Sequence, residues 1–495
     1  MKLSKRHWLP GVLLGASLIA APDADAQKAF RPELGETLQS LEKATPYQDN
    51  NGAVPPRSQY PGPLFVLSHA WPTTPLPPLK NAPWQVAIGN GKITPENAAA
   101  YAAALKTAVS ANGRALIMHY DTWNAERAGW YNEPWLGSRR ESIHGTYGAG
   151  SFGTGIFPNT GLRVPFNTHV LTYYDARAAY TLRKVWAGSA MKPDITTANT
   201  QFDEGAIVVK AAVFASEDVT QPLDWWDAMK GAQVWQMYIP VGAFDPPPPP
   251  QLWPGYVAQF DIIVKDTQSA PVTGWVYMTL VYDSAAPGDI WDKMVPLGVQ
   301  WGNDPQATAE GMPLKENWNN AKAPLYSTQT LGWGGRLSGP NDGARNDIAV
   351  DGVAMKNAPD SSCLSCHSTA QWNVRAHNMP SFLLPSFATP ATPTTPPFQT
   401  CDANGKPNPK NQGAYICSPA PGSAAWMKWF QDRPGTEPMD PGSVATDFDE
   451  VLSFKSLGLW WAAVAPSKQP APLLLRNPLS AQRFNLYTGA PLPQP

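Results

Sequence analysis

The chain has 495 residues, 43% hydrophobic and 15% charged, which suits a globular protein of about three domains at roughly 150 residues each. Its 54 prolines and 39 glycines argue for β-structure and long loops, and no heptad or glycine triplet runs through it, so coiled coil and collagen are excluded. Basic and acidic side chains nearly cancel, 37 against 39, which leaves no basic field to hold nucleic acid.

Lys2, Lys5 and Arg6 precede an apolar stretch from Leu9 to Ala21 and the small-residue site Ala24-Asp25-Ala26. That is the layout of a secretory signal peptide over residues 1–26, and the stretch is shorter than the roughly 20 residues a membrane span needs. The expected product is periplasmic or secreted, cleaved near Ala26, with no integral membrane span. Residues 27–90 are rich in proline and polar side chains and read as an extended segment.

Thr94, Pro95 and Glu96 read as the N-cap and first turn of a helix through Tyr101, Ala102, Leu105 and Val109, with Gly113 as its stop. Ala115 to His119 then reads as a short buried strand. Gly145 to Gly161 reads as a loop without a phosphate-binding pattern. Asn167 or Thr168 is expected to cap a second helix carrying Val170, Leu171, Tyr174, Ala178, Leu182 and Val185.

Four strand-like runs follow, Ala206 to Phe214, Gln233 to Ile239, Val257 to Lys265 and Gly274 to Tyr282. In the third, Phe260, Ile262 and Val264 alternate with Asp261 and Ile263, so one face is expected to be buried and the other partly so. The economical fold is α+β: an antiparallel sheet backed by the second helix over residues 91–300, then a loop-rich, partly helical region over 301–495. Pro246 to Pro250 form a stiff connector between the second and third strands.

The helix followed by Gly205-Ala206-Ile207-Val208-Val209-Lys210 resembles small bacterial cytochromes whose haem is cross-linked to a lysine and which oxidise hydroxylamine. That resemblance would give Lys210 the cross-link, whereas the residue read by itself is a solvated charge at a strand end. The 21 tryptophans serve either as core filler or as sugar-stacking platforms.

Cys363-Leu364-Ser365-Cys366-His367 is C-x-x-C-H, the attachment pattern of c-type haem. Two thiols at this spacing reach both vinyl groups on one porphyrin edge, and His367 is then held beneath the iron. A thioredoxin-type dithiol would sit in a β-α-β unit, whereas the residues from Asn357 to Ser362 are polar and turn-like. A zinc site would want a second cysteine pair, and Cys401 and Cys417 are sixteen apart.

On Cys363, Cys366 and His367 the chain resembles a bacterial exported monohaem c-type cytochrome, with a large N-terminal β-rich region added. The resemblance implies one covalent haem c, electron transfer, and a redox partner protein or small-molecule electron donor or acceptor. Two alternatives stay open: a haem enzyme with an open iron site that oxidises a small molecule, and a haem domain fused to a carbohydrate-binding β-domain.

Cys401 and Cys417 are left over in an oxidising compartment and are expected to form a disulfide. For the sixth iron position the candidates are Met379, in Met-Pro-Ser-Phe, and Met439, 72 residues after His367, with Met427 and His377 behind them. The other histidines, His69, His119, His144 and His169, are scattered, and no triad or H-E-x-x-H pattern occurs. Asp447, Asp449 and Glu450 are expected to open a final helix that presents Phe448, Val451, Leu452 and Leu459 to a core.

Overall fold

The computed structural model describes residues 49–68, 70–186, 192–242, 248–341, 348–350, 353–355, 361–381, 399–400, 417–418 and 421–464. The expected signal peptide 1–26, Cys401, His69 and part of the proline run lie outside the described residues. Nine strands form one sheet in which every pairing is antiparallel. Along it lie β1 (Trp130–Tyr131), β3 (Phe166–Asp175), β4 (Ile207–Ser216), β6 (Gln251–Lys265), β7 (Trp275–Tyr282), β8 (Met294–Gln300) and β9 (Asn317–Asn319). β2 (Tyr147–Phe152) pairs with β3, and β5 (Val234–Ile239) with β6. With helices α1 (Pro83–Ala87), α2 (Ala98–Met118) and α3 (Ala176–Trp186), the architecture is α+β.

All four expected strand runs are strands, but their surroundings differ from expectation. α2 starts after Asn97, whose side-chain oxygen accepts the Thr94 N–H at 2.8 Å, and it passes through Gly113 to Met118. The segment from Ala115 is therefore helix, not strand. Gly113 serves packing: a Cβ there would lie 2.4 Å from the Trp291 ring, so only glycine admits that ring against the helix. The glycine-rich stretch holds β2, whose register shifts between Gly148 and Gly150.

The expected second helix divides into two elements. Val170, Leu171 and Tyr174 belong to β3, where Thr168, Val170, Thr172, Tyr173 and Tyr174 are the β-branched and aromatic types that suit a pleated, buried surface. Asp175 turns the chain, its carboxylate accepting the Ala178 N–H at 2.7 Å, and Ala178, Leu182 and Val185 follow in α3. α2 packs against β6 and β8, while α3 packs by β1, β3 and β4.

Cross-strand pairing sorts the central strands into two faces. On one, Leu171, Ala211, Phe260 and Leu280 form a row beside Tyr173, Val209, Ile262, Met278 and Val299. This face meets α2 through Trp291, which stands edge-on to Phe260 at 5.2 Å and donates from Nε1 to Ser110 on the helix. On the other face, Thr172, Lys210, Asp261 and Thr279 form a row beside Tyr174, Val208, Ile263, Tyr277 and Gln300. That second face is also closed off, for Asp261 is 4% exposed, so the expectation of a partly open face fails.

One apolar core runs from Phe65 and Trp71 in the proline-rich segment through the sheet to Leu364, Trp372, Phe448 and Leu452. A smaller cluster holds Trp426, Trp429, Phe430 and Met439. Most of the described tryptophans are buried core residues, while Trp123, Trp225, Trp318, Trp333 and Trp461 are half-buried. Among the described residues no helix is long and apolar enough to cross a membrane.

Candidate functional site

The C-x-x-C-H motif forms the short helix Cys363–His367, and Ser362 starts it. The Ser362 hydroxyl accepts the Ser365 N–H at 3.1 Å while the Ser365 hydroxyl accepts the Ser362 N–H at 2.7 Å. This reciprocal cap satisfies two donors that a helix start otherwise leaves open. No helix precedes the motif among the described residues just before it, where Ile348–Val350 and Val353–Met355 pair as antiparallel strands. The Leu364 N–H donates to the Gln300 side chain at 3.1 Å, which ties the motif helix to the polar face of the sheet.

The chain then returns to the motif along a short ladder. Gln371 and Trp372 pair antiparallel with Ala445 and Val444, and the Thr446 N–H donates to the Ala370 carbonyl at 3.0 Å. Residues 447–450 thereby come to rest beside the motif. The Phe448 carbonyl lies 2.9 Å from His367 Nδ1. A carbonyl only accepts, so Nδ1 carries the proton, and Nε2 is the nitrogen whose lone pair a metal can take when the ring is neutral. The Tyr277 ring lies 4.7 Å from the imidazole, and its hydroxyl also reaches the Phe448 carbonyl, at 3.4 Å. Burial, with Glu450 and Cys363 nearby, pushes the Tyr277 hydroxyl well above its ordinary value, so it stays protonated and able to donate.

Cys363 is buried and Cys366 half-buried. Cys366 Sγ is 3.6 Å from both oxygens of Glu450, which also accepts the Thr369 hydroxyl at 2.9 Å. Asp449 is buried; it accepts the Tyr174 hydroxyl at 3.0 Å and the N–H groups of Val451 and Leu452, and so caps the turn into 451–464. The final helix accordingly starts after Glu450, as a π-helical turn over Val451–Ser456 followed by Leu457–Val464. Burial raises the Asp449 carboxyl to about 6. It raises that of Glu133, which accepts the Trp186 indole N–H at 2.8 Å, to about 8, with the charge of Asp449 adding to the effect.

Lys210 is no solvated strand end. It sits inside β4, its ammonium 2.7 Å from Asp261, and the Gln259 amide donates to both Asp261 oxygens at 2.9 and 2.8 Å. Two strand spacings and two residues separate it from Tyr277 on the same face, about 12 Å.

The two candidate methionines take different surroundings. Met439 is buried among Trp426, Trp429 and Phe430, whereas Met379, close after the motif in sequence, is half-buried against the main core. Met427 lies in the short helix Ala424–Phe430, whose Trp426 and Phe430 rings stack at 4.2 Å. His377 stacks flat on Trp461 at 3.5 Å. His144 stacks on Trp235 at 4.6 Å, and burial lowers it to about 3, so it is a neutral core residue; burial also lowers His169, to about 4. Cys417 pairs through its backbone with Gln399, while its expected disulfide partner is outside the described residues.

Among the described residues no group of three or more His, Cys, Asp and Glu side chains is arranged to hold a metal ion. No family model matches the chain, and neither a curated protein nor a solved structure is significantly similar to it.

Of the features that build this site, the sequence reading found Cys363, Cys366 and His367 and missed the Phe448 carbonyl, Tyr277, Gln300 and Glu450. A backbone acceptor 81 residues from its donor leaves no local signal. The Ser362 cap had one, the pairing of two serines three apart across the motif's first turn.

Proposed function

We propose that the chain is an exported c-type cytochrome, with one haem c attached through Cys363 and Cys366 and His367 as proximal ligand. It passes electrons between a redox partner protein and a second partner, or a small-molecule donor or acceptor. The observation that carries this reading is the 2.9 Å bond from His367 Nδ1 to the Phe448 carbonyl. It fixes the tautomer and leaves Nε2 as the donor atom an iron requires, and a proximal histidine is commonly oriented by such a second bond.

The donor set fits the group. Both thiols stand in one capped turn, and the helix that bears them is backed by the sheet through Gln300 and Tyr277. When bound, the haem would supply one-electron redox chemistry. The chain's own residues hold the imidazole between the Phe448 carbonyl and the Tyr277 ring and keep Nδ1 protonated. In this reading residues 301–495 are the haem-bearing region, 91–300 the scaffold it lies on, and 27–90 the extended segment. Residues 1–26 direct export, and Cys401 and Cys417 form a disulfide in the oxidising compartment.

Met379 is the better candidate for the sixth position, since the Met439 side chain is already employed in packing Trp426 and Trp429. A second reading, a haem enzyme with an open iron site acting on a small molecule, is favoured by one feature. Lys210 and Asp261 place an ion pair on the buried face that also carries Tyr277, the ring beside His367.

The test is expression in a host that matures c-type cytochromes, followed by acid-acetone extraction and spectroscopy. Haem should stay on the polypeptide, and Cys363→Ala or Cys366→Ala should lose one thioether. A haem that extracts intact ends the reading. Slow or absent carbon monoxide binding to the reduced protein, with loss of a far-red sulfur-to-iron band in Met379→Ala, supports the carrier. Rapid carbon monoxide binding transfers support to the catalytic reading.

A further inference from the structure

We propose that Asp447, held by Lys265 and Trp275, is the positioning residue of the proximal histidine: it locks the turn whose Phe448 carbonyl receives the His367 ring proton, and so sets how strongly His367 donates to iron. The proposal rests on the haem reading above and assigns the control of its redox potential.

Asp447 and Phe448 are consecutive non-glycine residues with φ of 50° and 67°. Side-chain-bearing residues rarely adopt this left-handed region, and a bulky aromatic does so only where the surroundings over-determine it. The surroundings here do. The Asp447 carboxylate is fully buried and accepts Lys265 Nζ at 2.6 and 2.9 Å, the Trp275 indole N–H at 2.8 Å and the Phe202 N–H at 2.9 Å. A Cβ at Gly435 would overlap Asp447 Oδ1, so glycine at that position is a condition of the anchor.

The donors are themselves parts of the sheet. Lys265 closes β6 and Trp275 opens β7, and the two are direct cross-strand partners. Tyr277, two residues beyond Trp275 on the same face, carries the ring against His367. The same strand ends therefore fix both the imidazole and its acceptor. Released from this anchor, residues 447–448 can return to negative φ, which swings the Phe448 carbonyl away from Nδ1.

A strong Nδ1–H···O=C bond gives the imidazole more anionic character and favours the ferric state. Weakening it should raise the potential and let the ring proton exchange faster. A plain charge effect makes a different forecast, since removing the Asp447 charge and removing the Lys265 charge act on the iron with opposite signs. Positioning predicts the same sign for both, and also for the charge-neutral Trp275→Phe.

The experiment measures three quantities on the haem-bearing full chain and on Asp447→Asn, Lys265→Met and Trp275→Phe. These are covalent haem content, midpoint potential, and solvent exchange of the hyperfine-shifted His367 Nδ1 proton by NMR. The expected result is parent-like haem content with a higher potential in all three variants. For the two charge variants the ferric-to-ferrous ratio at a fixed ambient potential should shift about tenfold, equal to about 59 mV for one electron. Exchange should quicken at least tenfold in the same proteins. If Asp447→Asn does not accumulate, Lys265→Met and Trp275→Phe decide the matter. A Lys265→Met protein with a lowered potential and the parent's exchange rate overturns the positioning role and leaves the haem reading intact. A parent chain that matures without covalent haem ends that reading, and this one with it.

Discussion

On the α2 side of β6, Phe260 and Ile262 meet Leu280, Met278 and Trp291, while on the opposite side Asp261 meets Lys210 and Gln259. The two surfaces belong to one strand and are both closed to water, yet they are covered by different means. The apolar face gains stability from burial at about 25 cal/mol per Å² and needs only shape complementarity. The polar face gains little net energy from its ion pairs, because desolvation offsets their attraction. What it supplies is fixed direction: Gln300 receives the motif helix, Tyr277 the imidazole, Tyr174 the Asp449 cap, and Lys265 with Trp275 the 447–448 turn. Stability and placement thus come from opposite sides of the same sheet.

The largest effect that tests this contrast lies on the apolar face. Phe260→Ala removes a ring that packs edge-on to Trp291 and should cost about 3–5 kcal/mol in urea unfolding followed by Trp fluorescence. The visible spectrum of whatever folded protein remains should not change. A cost under about 1 kcal/mol would show that the face under α2 is not the main store of stability.

On the polar face, Lys210→Met removes the counter-charge of Asp261 and should cost about 3 kcal/mol, because a carboxylate then stays buried beside an apolar chain. The double variant Lys210→Met, Asp261→Leu should recover part of that loss in the same unfolding assay, since no unpaired charge then stays buried, while the buried Gln259 amide loses its acceptors. A double variant less stable than the single one would contradict the view that this pair places groups more than it stabilises them.

A smaller effect depends on pH. Glu133 is raised to about 8 and Asp449 to about 6, both by burial first. A carboxyl whose folded value lies above its unfolded value binds its proton more tightly when folded. Its contribution is therefore fully present below the unfolded value near 4 and is lost as pH rises through the folded value. Stability should fall between about pH 5 and 8, by at most about 1.4 kcal/mol per pH unit for each proton. Glu133→Gln keeps an oxygen for the Trp186 indole and should flatten the upper part of that slope. Unfolding midpoints at pH 5.5, 6.5, 7.5 and 8.5 check it, and an unchanged slope would remove Glu133 from the account.

How much of this was legible in the sequence follows from what each feature depends on. Strands β4 to β7 announce themselves through runs of Val, Ile, Tyr and Trp, a local property. The segment Phe166–Asp175 misleads, since its apolar residues also satisfy a helical spacing and only pairing on both edges decides for strand. Gly113 misleads for a related reason: its role is set by Trp291, 178 residues away, and not by the helix it lies in. At the site, Cys363, Cys366 and His367 form one contiguous motif and are read directly. Lys210 is misread because its partner Asp261 is a cross-strand neighbour from another segment. Phe448 contributes a backbone oxygen, which no side-chain pattern can flag, and Asp447 looks like any acidic residue before a helix until Lys265 and Trp275 are placed around it.

The smallest expected effect concerns the start of the motif helix. The Ser362 hydroxyl accepts the Ser365 N–H and the Ser365 hydroxyl returns the bond, within a helix of five residues that has little cooperativity of its own. Ser362→Ala removes the cap and should cost about 1 kcal/mol, the ordinary price of losing a serine N-cap. Because the Leu364 N–H still donates to Gln300 and His367 still donates to Phe448, the helix should keep its place and the absorption spectrum its band positions. Ser365→Ala removes the reciprocal bond and leaves the main cap, so its cost should be less than that of Ser362→Ala. Urea unfolding of the two variants at one pH ranks them, and a larger loss from Ser365→Ala would mean that the second hydroxyl, not the first, organises the turn that carries both cysteines.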